Sequence, residues 1–264
     1  MLGAIIGDIV GSIYEFDNYK AKDFPFFDEG MRITDDSAMT IAVAKALLES
    51  KPDYSDLSKK TVEWMQEIGR RYPDLGYGGS FSWWLEQDEP QPYNSWGNGS
   101  AMRVSAVAYV AESLDEVKKL SKMVTEVTHN HPEGLKGAEA TAVAVWMALH
   151  GYTKPEMHAC LKEYYYFDYK IDDLRPVYGF KVSCQGTMPA ALAAFFEGES
   201  YEDAIRNAIS LGGDSDTIGA ITGAIAEAYW GIPEKLPAKA ISYIPQDLLE
   251  IVSEFEKHYP GNIV

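Results

Sequence analysis

Apolar residues recur at intervals of three and four along most of this chain, and that period limits what it can fold into. In residues 37–49, Met39, Ala42, Val43, Ala46 and Leu47 fall at i, i+3, i+4, i+7 and i+8, the buried stripe of an α-helix. The same pattern predicts helices over 56–70, 100–112, 115–128, 135–150, 155–167, 188–197, 201–211, 216–230 and 246–257, with a further apolar helix opening the chain. Period-two alternation, the mark of a half-buried strand, is scarce. The expected class is all-α: a compact multi-helix bundle whose loops gather at one end. Ala-rich stretches at 138–148 and 189–196 suit close helix packing, and Pro189 suits a first helical turn. Gly3, Gly7 and Gly11 recur every four positions and would let the first helix pack tightly on another.

Nothing in the 264 residues reads as a linker, and with 46% apolar residues the chain can bury a sizeable core, so one domain is expected. The formal net charge of −17 argues against an electrostatic surface for nucleic acid or membrane. An anionic ligand would then need local positive charge, from bound metal or helix N-termini. Two cysteines, Cys160 and Cys184, are too few for a disulfide framework, which fits a reducing compartment. The apolar N-terminus lacks a basic region and is interrupted by Asp8, so it reads as neither signal peptide nor membrane span. The cytoplasm is the expected location; oligomeric state is not legible.

Two acidic clusters stand out: Thr34-Asp35-Asp36-Ser37 and Gly213-Asp214-Ser215-Asp216-Thr217. Either alone fits an ordinary helix N-cap. A cap needs one acceptor, however, and together they supply four carboxylates plus the Thr34 and Thr217 hydroxyls. Hard oxygen ligands of this kind suit Mg²⁺ or Mn²⁺. Gly212-Gly213 would permit a tight backbone approach before Asp214. Gly97-Asn98-Gly99-Ser100-Ala101-Met102-Arg103 is a glycine turn opening a helix; it is either a phosphate-facing turn or a plain cap. It is neither a Walker A nor a dinucleotide-binding fingerprint. His129 and His131 lack the partners of a zinc motif. Cys184 reads as an inert core thiol, and Trp83, Trp84 and residues 164–167 as packing aromatics.

In order along the chain, GAIIGDIVGSIYE (3–15), TDDS (34–37), GNGSAMR (97–103), THNHPEG (128–134) and GGDSDTIGAITGA (212–224) together resemble the ADP-ribosylglycohydrolase family. The resemblance runs from Gly3 to about Trp230. It implies a single domain over residues 1–264, an all-α fold, and a cleft holding two Mg²⁺ or Mn²⁺ ions. By that resemblance Thr34, Asp35, Asp36, Asp214, Asp216 and Thr217 are the metal ligands. Glu15 matches a substrate-sensing or catalytic carboxylate. Gly97, Asn98, Gly99, Ser100 and Met102 match the diphosphate-contacting segment, and His129 a residue near the ribose. Ser37 stands where the family often has Thr, keeping the hydroxyl.

The implied reaction is hydrolysis at C1″ of ADP-ribose, freeing it from a protein side chain or small conjugate. Asp36 or Asp216 would accept the water proton; Glu15 would position or protonate the scissile group. Two alternatives stand beside it. One is a non-catalytic ADP-ribose-binding or structural relative, against which the intact Glu15 and six metal positions argue. The other is a two-metal phosphoester hydrolase, for which Arg103 is the one obvious phosphate clamp. Which linkage is cut is not legible.

Overall fold

Fifteen helices and no sheet make up the computed structural model, which describes residues 1–264. In chain order they are α1 (Leu2–Gly11), α2 (Asp35–Glu49), α3 (Leu57–Arg71), α4 (Gly79–Leu85), α5 (Gly99–Met102), α6 (Val107–Val110), α7 (Leu114–Thr125) and α8 (Pro132–Leu149). There follow α9 (Lys154–Leu161), α10 (Ile171–Leu174), α11 (Cys184–Glu197), α12 (Tyr201–Ser210), α13 (Ser215–Trp230), α14 (Lys235–Ile241) and α15 (Gln246–His258). A single hydrophobic core of 79 buried residues runs through them, so the chain is one compact domain. No helix is long and apolar enough to cross a membrane.

Helix α1 has no solvent face; every residue from Leu2 to Gly11 is buried. It lies chiefly along α13, and the glycines predicted to form a close-packing face do so. A Cβ on Gly3 would stand 2.5 Å from the Gly223 carbonyl oxygen, and one on Gly11 would stand 2.4 Å from Asp216 Cα. Backbone meets backbone along this seam, which ends where the second acidic cluster begins.

Caps set several of the helix starts. The Thr34 hydroxyl accepts from the Asp36 amide at 3.3 Å, and Ser113 and Ser200 cap α7 and α12 in the same manner. The His131 side chain accepts from the Glu133 amide, with Pro132 opening α8.

Four details differ from expectation. The helix expected over 100–112 is two short pieces, α5 and α6, because the chain turns at Arg103 to bury its guanidinium facing the cleft. Pro189 sits in the interior of α11 rather than in its first turn. Ser183 accepts from the Gly186 amide and starts that helix earlier. The helix expected to reach residue 167 stops at Leu161. Beyond it Tyr165 is 7% exposed, Tyr166 63% and Phe167 3%, the alternation of an extended segment. Helices α4, α10 and α14, each seven residues or fewer, are too short to leave a periodic trace.

Candidate metal centre and ligand cleft

Several loops enclose a cleft of about 450 Å³, a size suited to a small-molecule ligand. Glu15, Asp35, Asp36, Asp214, Asp216 and Thr217 line it together with Gly97, Asn98, Gly99, Met102, Arg103 and His129. The two acidic clusters, distant in the chain, therefore share one wall. The Thr217 hydroxyl joins them, donating to Asp36 Oδ2 at 3.2 Å.

Asp214 opens α13 without capping it. Its carboxylate instead accepts from the Asn98 side-chain amide at 2.5 Å. The preceding Gly212 and Gly213 have φ of 67° and 70°, left-handed backbone that favours glycine. A Cβ on Gly213 would also stand 2.9 Å from the Gly179 backbone. Asn98, expected to contact ligand, thus also fixes an acidic side chain. Asn98 N–H donates to Val182 O at 2.9 Å, tying the glycine turn to the strand-like approach to α11.

Ser100 is the one expected ligand-contacting residue outside the cleft lining. It is fully buried, and its hydroxyl donates to Gly134 O at 2.8 Å, so it fastens the turn from behind. Among the turn amides, Gly99 N–H finds no acceptor in the protein, whereas Gly97, Asn98, Ser100, Ala101 and Met102 all donate. Thr34 also lies behind the cleft wall; its hydroxyl donates to Asp8 Oδ1 at 2.7 Å. Cys184 packs under the turn, its thiol 3.2 Å from Gly97 O. Burial pushes that thiol up to about 12, so it stays protonated and is no nucleophile.

Asp8 was not foreseen as a site residue. It is fully buried in α1 and accepts from the Thr34 amide at 2.9 Å, the Ser37 amide at 3.1 Å and the Ser37 hydroxyl. The only trace in the sequence is a lone carboxylate in an apolar helix, where an isolated charge would be costly. Oxygen atoms of Asp8, Asp36 and Asp216 lie within 4.8 Å of one another, as do those of Glu15, Asp214 and Asp216. Asp216 belongs to both groups.

No basic side chain balances this wall through an ion pair. Burial, reinforced by Asp8 and Asp214, raises Asp35 to about 8. Burial and Asp214 raise Glu15 to about 7, against the opposing pull of Arg32. Asp36 and Asp216 are pushed well above the usual carboxylate range, first by burial and then by neighbouring aspartates. Asp36 Oδ1 is buried without any hydrogen-bond partner, an unmet acceptor that a cation would satisfy. The donor set, all oxygen and strongly anionic, fits a hard divalent ion.

The cation-free protein is therefore expected to lose stability as pH rises from about 4 to about 8. Unfolded carboxylates release their protons near pH 4, whereas folded Glu15 and Asp35 keep theirs to about 7 and about 8. Across that window the folded state binds more protons, so raising pH favours unfolding. Thermal melts in chelator should show a midpoint several degrees lower at about pH 8 than at about pH 5, and a divalent cation should restore it at the higher pH. Equal midpoints in chelator would refute this account of the wall.

On this all-helical scaffold one cleft sets buried carboxylates, which could hold a metal ion, beside a glycine turn. The chain belongs to the ADP-ribosylglycohydrolase family, whose sequence model matches residues 1–262. It is 26% identical over 319 residues to ADP-ribosylhydrolase ARH3 of Gallus gallus, covering 90% of this chain and 85% of that one. It is 28% identical over 263 residues to ADP-ribosylarginine hydrolase Tri1 of Pseudomonas putida, covering 88% and 70%. A solved structure titled ADP-ribosylglycohydrolase-related protein complex has the same fold, with a TM-score of 0.65, 23% identity and coverage of 97% and 95%.

Proposed function

We propose that residues 1–264 act as one ADP-ribosylglycohydrolase-like domain that hydrolyses the bond at C1″ of ADP-ribose, releasing it from a protein side chain or small conjugate. The observation that carries this reading is the group of Asp8, Asp36, Asp214, Asp216 and Glu15, all but the buried Asp8 lining one cleft together with the Gly97–Gly99 turn. Family membership and the hydrolase relatives support the same reaction class. Two groups of carboxylates sharing Asp216 favour two ions, Mg²⁺ or Mn²⁺, with Thr34, Asp35, Asp36, Asp214, Asp216 and Thr217 as the proposed holding set and Asp8 added to it. When bound, such ions supply positive charge that orders ribose hydroxyl oxygens and makes water a stronger nucleophile.

The chain's own residues divide the remaining work. Asn98 holds Asp214 in place, and Thr217 braces Asp36. Gly99 offers its unpartnered amide to a diphosphate oxygen. Water oxygen adds to C1″ as the C1″–N or C1″–O bond breaks; Asp36 or Asp216 takes the water proton, and the leaving group gains one. Glu15 is placed to hold or supply that proton, with an affinity near neutrality in the cation-free protein. Carboxylates around C1″ also stabilise the positive charge that develops there. Two free cysteines agree with a reducing compartment such as the cytoplasm.

The test is turnover of mono-ADP-ribosylated arginine and serine peptides and small conjugates with Mg²⁺ or Mn²⁺ present, read as free ADP-ribose. Release from at least one linkage is expected. Binding of ADP-ribose without release from any of them would replace the hydrolase reading with that of a binding protein.

A further inference from the structure

We infer that Arg103 and Thr128 are positioning residues that lock His129 in its Nε2–H form, presenting one hydrogen-bond donor beside the Gly97–Gly99 turn to an oxygen of the bound substrate. Arg103 is 2% exposed, lines the cleft and forms no ion pair with any carboxylate. Its Nη2 donates to Thr128 Oγ1 at 2.6 Å and lies 3.3 Å from His129 Nδ1. Its guanidinium rests over the Phe81 ring, 5.5 Å from the centroid, so it is held in place from the side as well.

Hydrogen-bond polarity then dictates the tautomer. A guanidinium only donates, so Thr128 Oγ1 must accept from Arg103. The Thr128 hydroxyl proton has two acceptors within reach, His129 Nδ1 at 2.7 Å and Thr125 O at 3.5 Å. An N–H at Nδ1 would face the Arg103 Nη2 donor 3.3 Å away, so Nδ1 is the acceptor, and a neutral imidazole with an accepting Nδ1 carries its proton on Nε2. Thr128 is itself fully buried, so water does not compete for the relay. Burial and the adjacent guanidinium both hold His129 well below its ordinary value, which keeps the ring neutral and supports the same arrangement.

Nε2 points to a place kept open by glycine. A Cβ on Gly97 would stand 3.3 Å from it, and one on Gly99 would stand 3.5 Å from it. Gly99 also carries an amide with no acceptor in the protein. Two donors thus border the same space, and neither has a protein oxygen to bond. An oxygen of the ligand fits both, a phosphoryl oxygen most strongly. The ligand identity rests on the ADP-ribose reading above; the tautomer does not.

The experiment uses the full chain with ¹⁵N-labelled histidine. Two-bond ¹H–¹⁵N spectra of the free protein near neutral pH, assigned with a His129→Gln sample, should show His129 as the Nε2–H form alone. Thr128→Val keeps the side-chain shape and removes the relay hydroxyl. It should give a mixture of tautomers and weaken ADP-ribose binding about tenfold, while Thr128→Ser restores both. Arg103→Met should release the tautomer in the same way, and it provides the reading if Thr128→Val does not fold. A wild-type His129 found as Nδ1–H or protonated overturns the inference. So does a folded Thr128→Val protein with an unchanged tautomer. A wild type with Nε2–H that binds no ADP-ribose leaves the relay standing and removes the proposed ligand instead.

Discussion

Asp216→Asn is expected to lower turnover at saturating Mg²⁺ or Mn²⁺ by about 10³-fold or more, equivalent to about 4 kcal/mol of lost transition-state stabilisation. Asp216 is the carboxylate common to both oxygen groups, so one substitution removes a ligand charge from each. Asparagine preserves the volume, and its carbonyl can still accept from the Thr217 amide, which now donates to Asp216 Oδ1 at 2.9 Å. The start of α13 should therefore remain in place.

The stability of the variant separates a lost site from a damaged fold. In chelator near pH 8, Asp216→Asn should melt at the same temperature as the wild type or higher, because one member of a repelling, buried set has become neutral. With a divalent cation present, the ordering should reverse: wild type gains in midpoint and the variant gains little. Calorimetric titration of the cation should show affinity weakened by an order of magnitude or more. Turnover within tenfold of wild type would remove Asp216 from the proposed role, as would an undiminished cation-induced rise in the melting midpoint.

The parts legible in the sequence are those whose physics is local. Helix α2 shows its apolar period, and its Thr34 cap lies directly before it; α13 shows its period as well, although Asp214 before it makes no cap. The acidic clusters could be read as a possible ligand set because carboxylates crowded in sequence stay crowded in space. Asp8 could not be read in that way. Its partners, Thr34 and Ser37, come from a different helix, so its surroundings exist only after α1 and α2 pack.

The helix break at Arg103 hid for a related reason. Small and apolar neighbours on both sides continued the helical pattern, and the break appears only because the guanidinium turns to Thr128 and His129. Pro189 was misplaced because Cys184-Gln185-Gly186 has a loop-like composition. The Ser183 cap nevertheless starts the helix there, and the proline sits in its interior. The double role of Asn98, at once on the cleft wall and bonded to Asp214, likewise requires two segments to meet.

Gly7→Ala should be the most damaging single-methyl change in the chain, with an expected loss of more than about 4 kcal/mol and a protein that fails to fold or melts far below wild type. Its new Cβ would stand 2.0 Å from Gly219 O and 2.3 Å from Gly219 C. Those are backbone atoms of a packed helix, so no side-chain rotation relieves the overlap, and α1 must move away from α13. Moving it exposes a helix buried on every side and opens the core along its length, a larger cost than ordinary overpacking at one side chain. Gly30→Ala is the matched control. Its Cβ would meet only an Ile13 methyl at 3.4 Å, and the change should stay within about 0.5 kcal/mol. At the far end of the same seam, Gly11→Ala presses on Asp216 Cα at 2.4 Å and on Asp216 N at 2.5 Å, so it should weaken cation binding together with stability. Chemical denaturation of the three variants, with and without Mg²⁺, checks the order Gly7, Gly11, Gly30. A Gly7→Ala protein as stable as Gly30→Ala would show that the seam can open without cost, and that the close approach of α1 and α13 does not hold the acidic wall together.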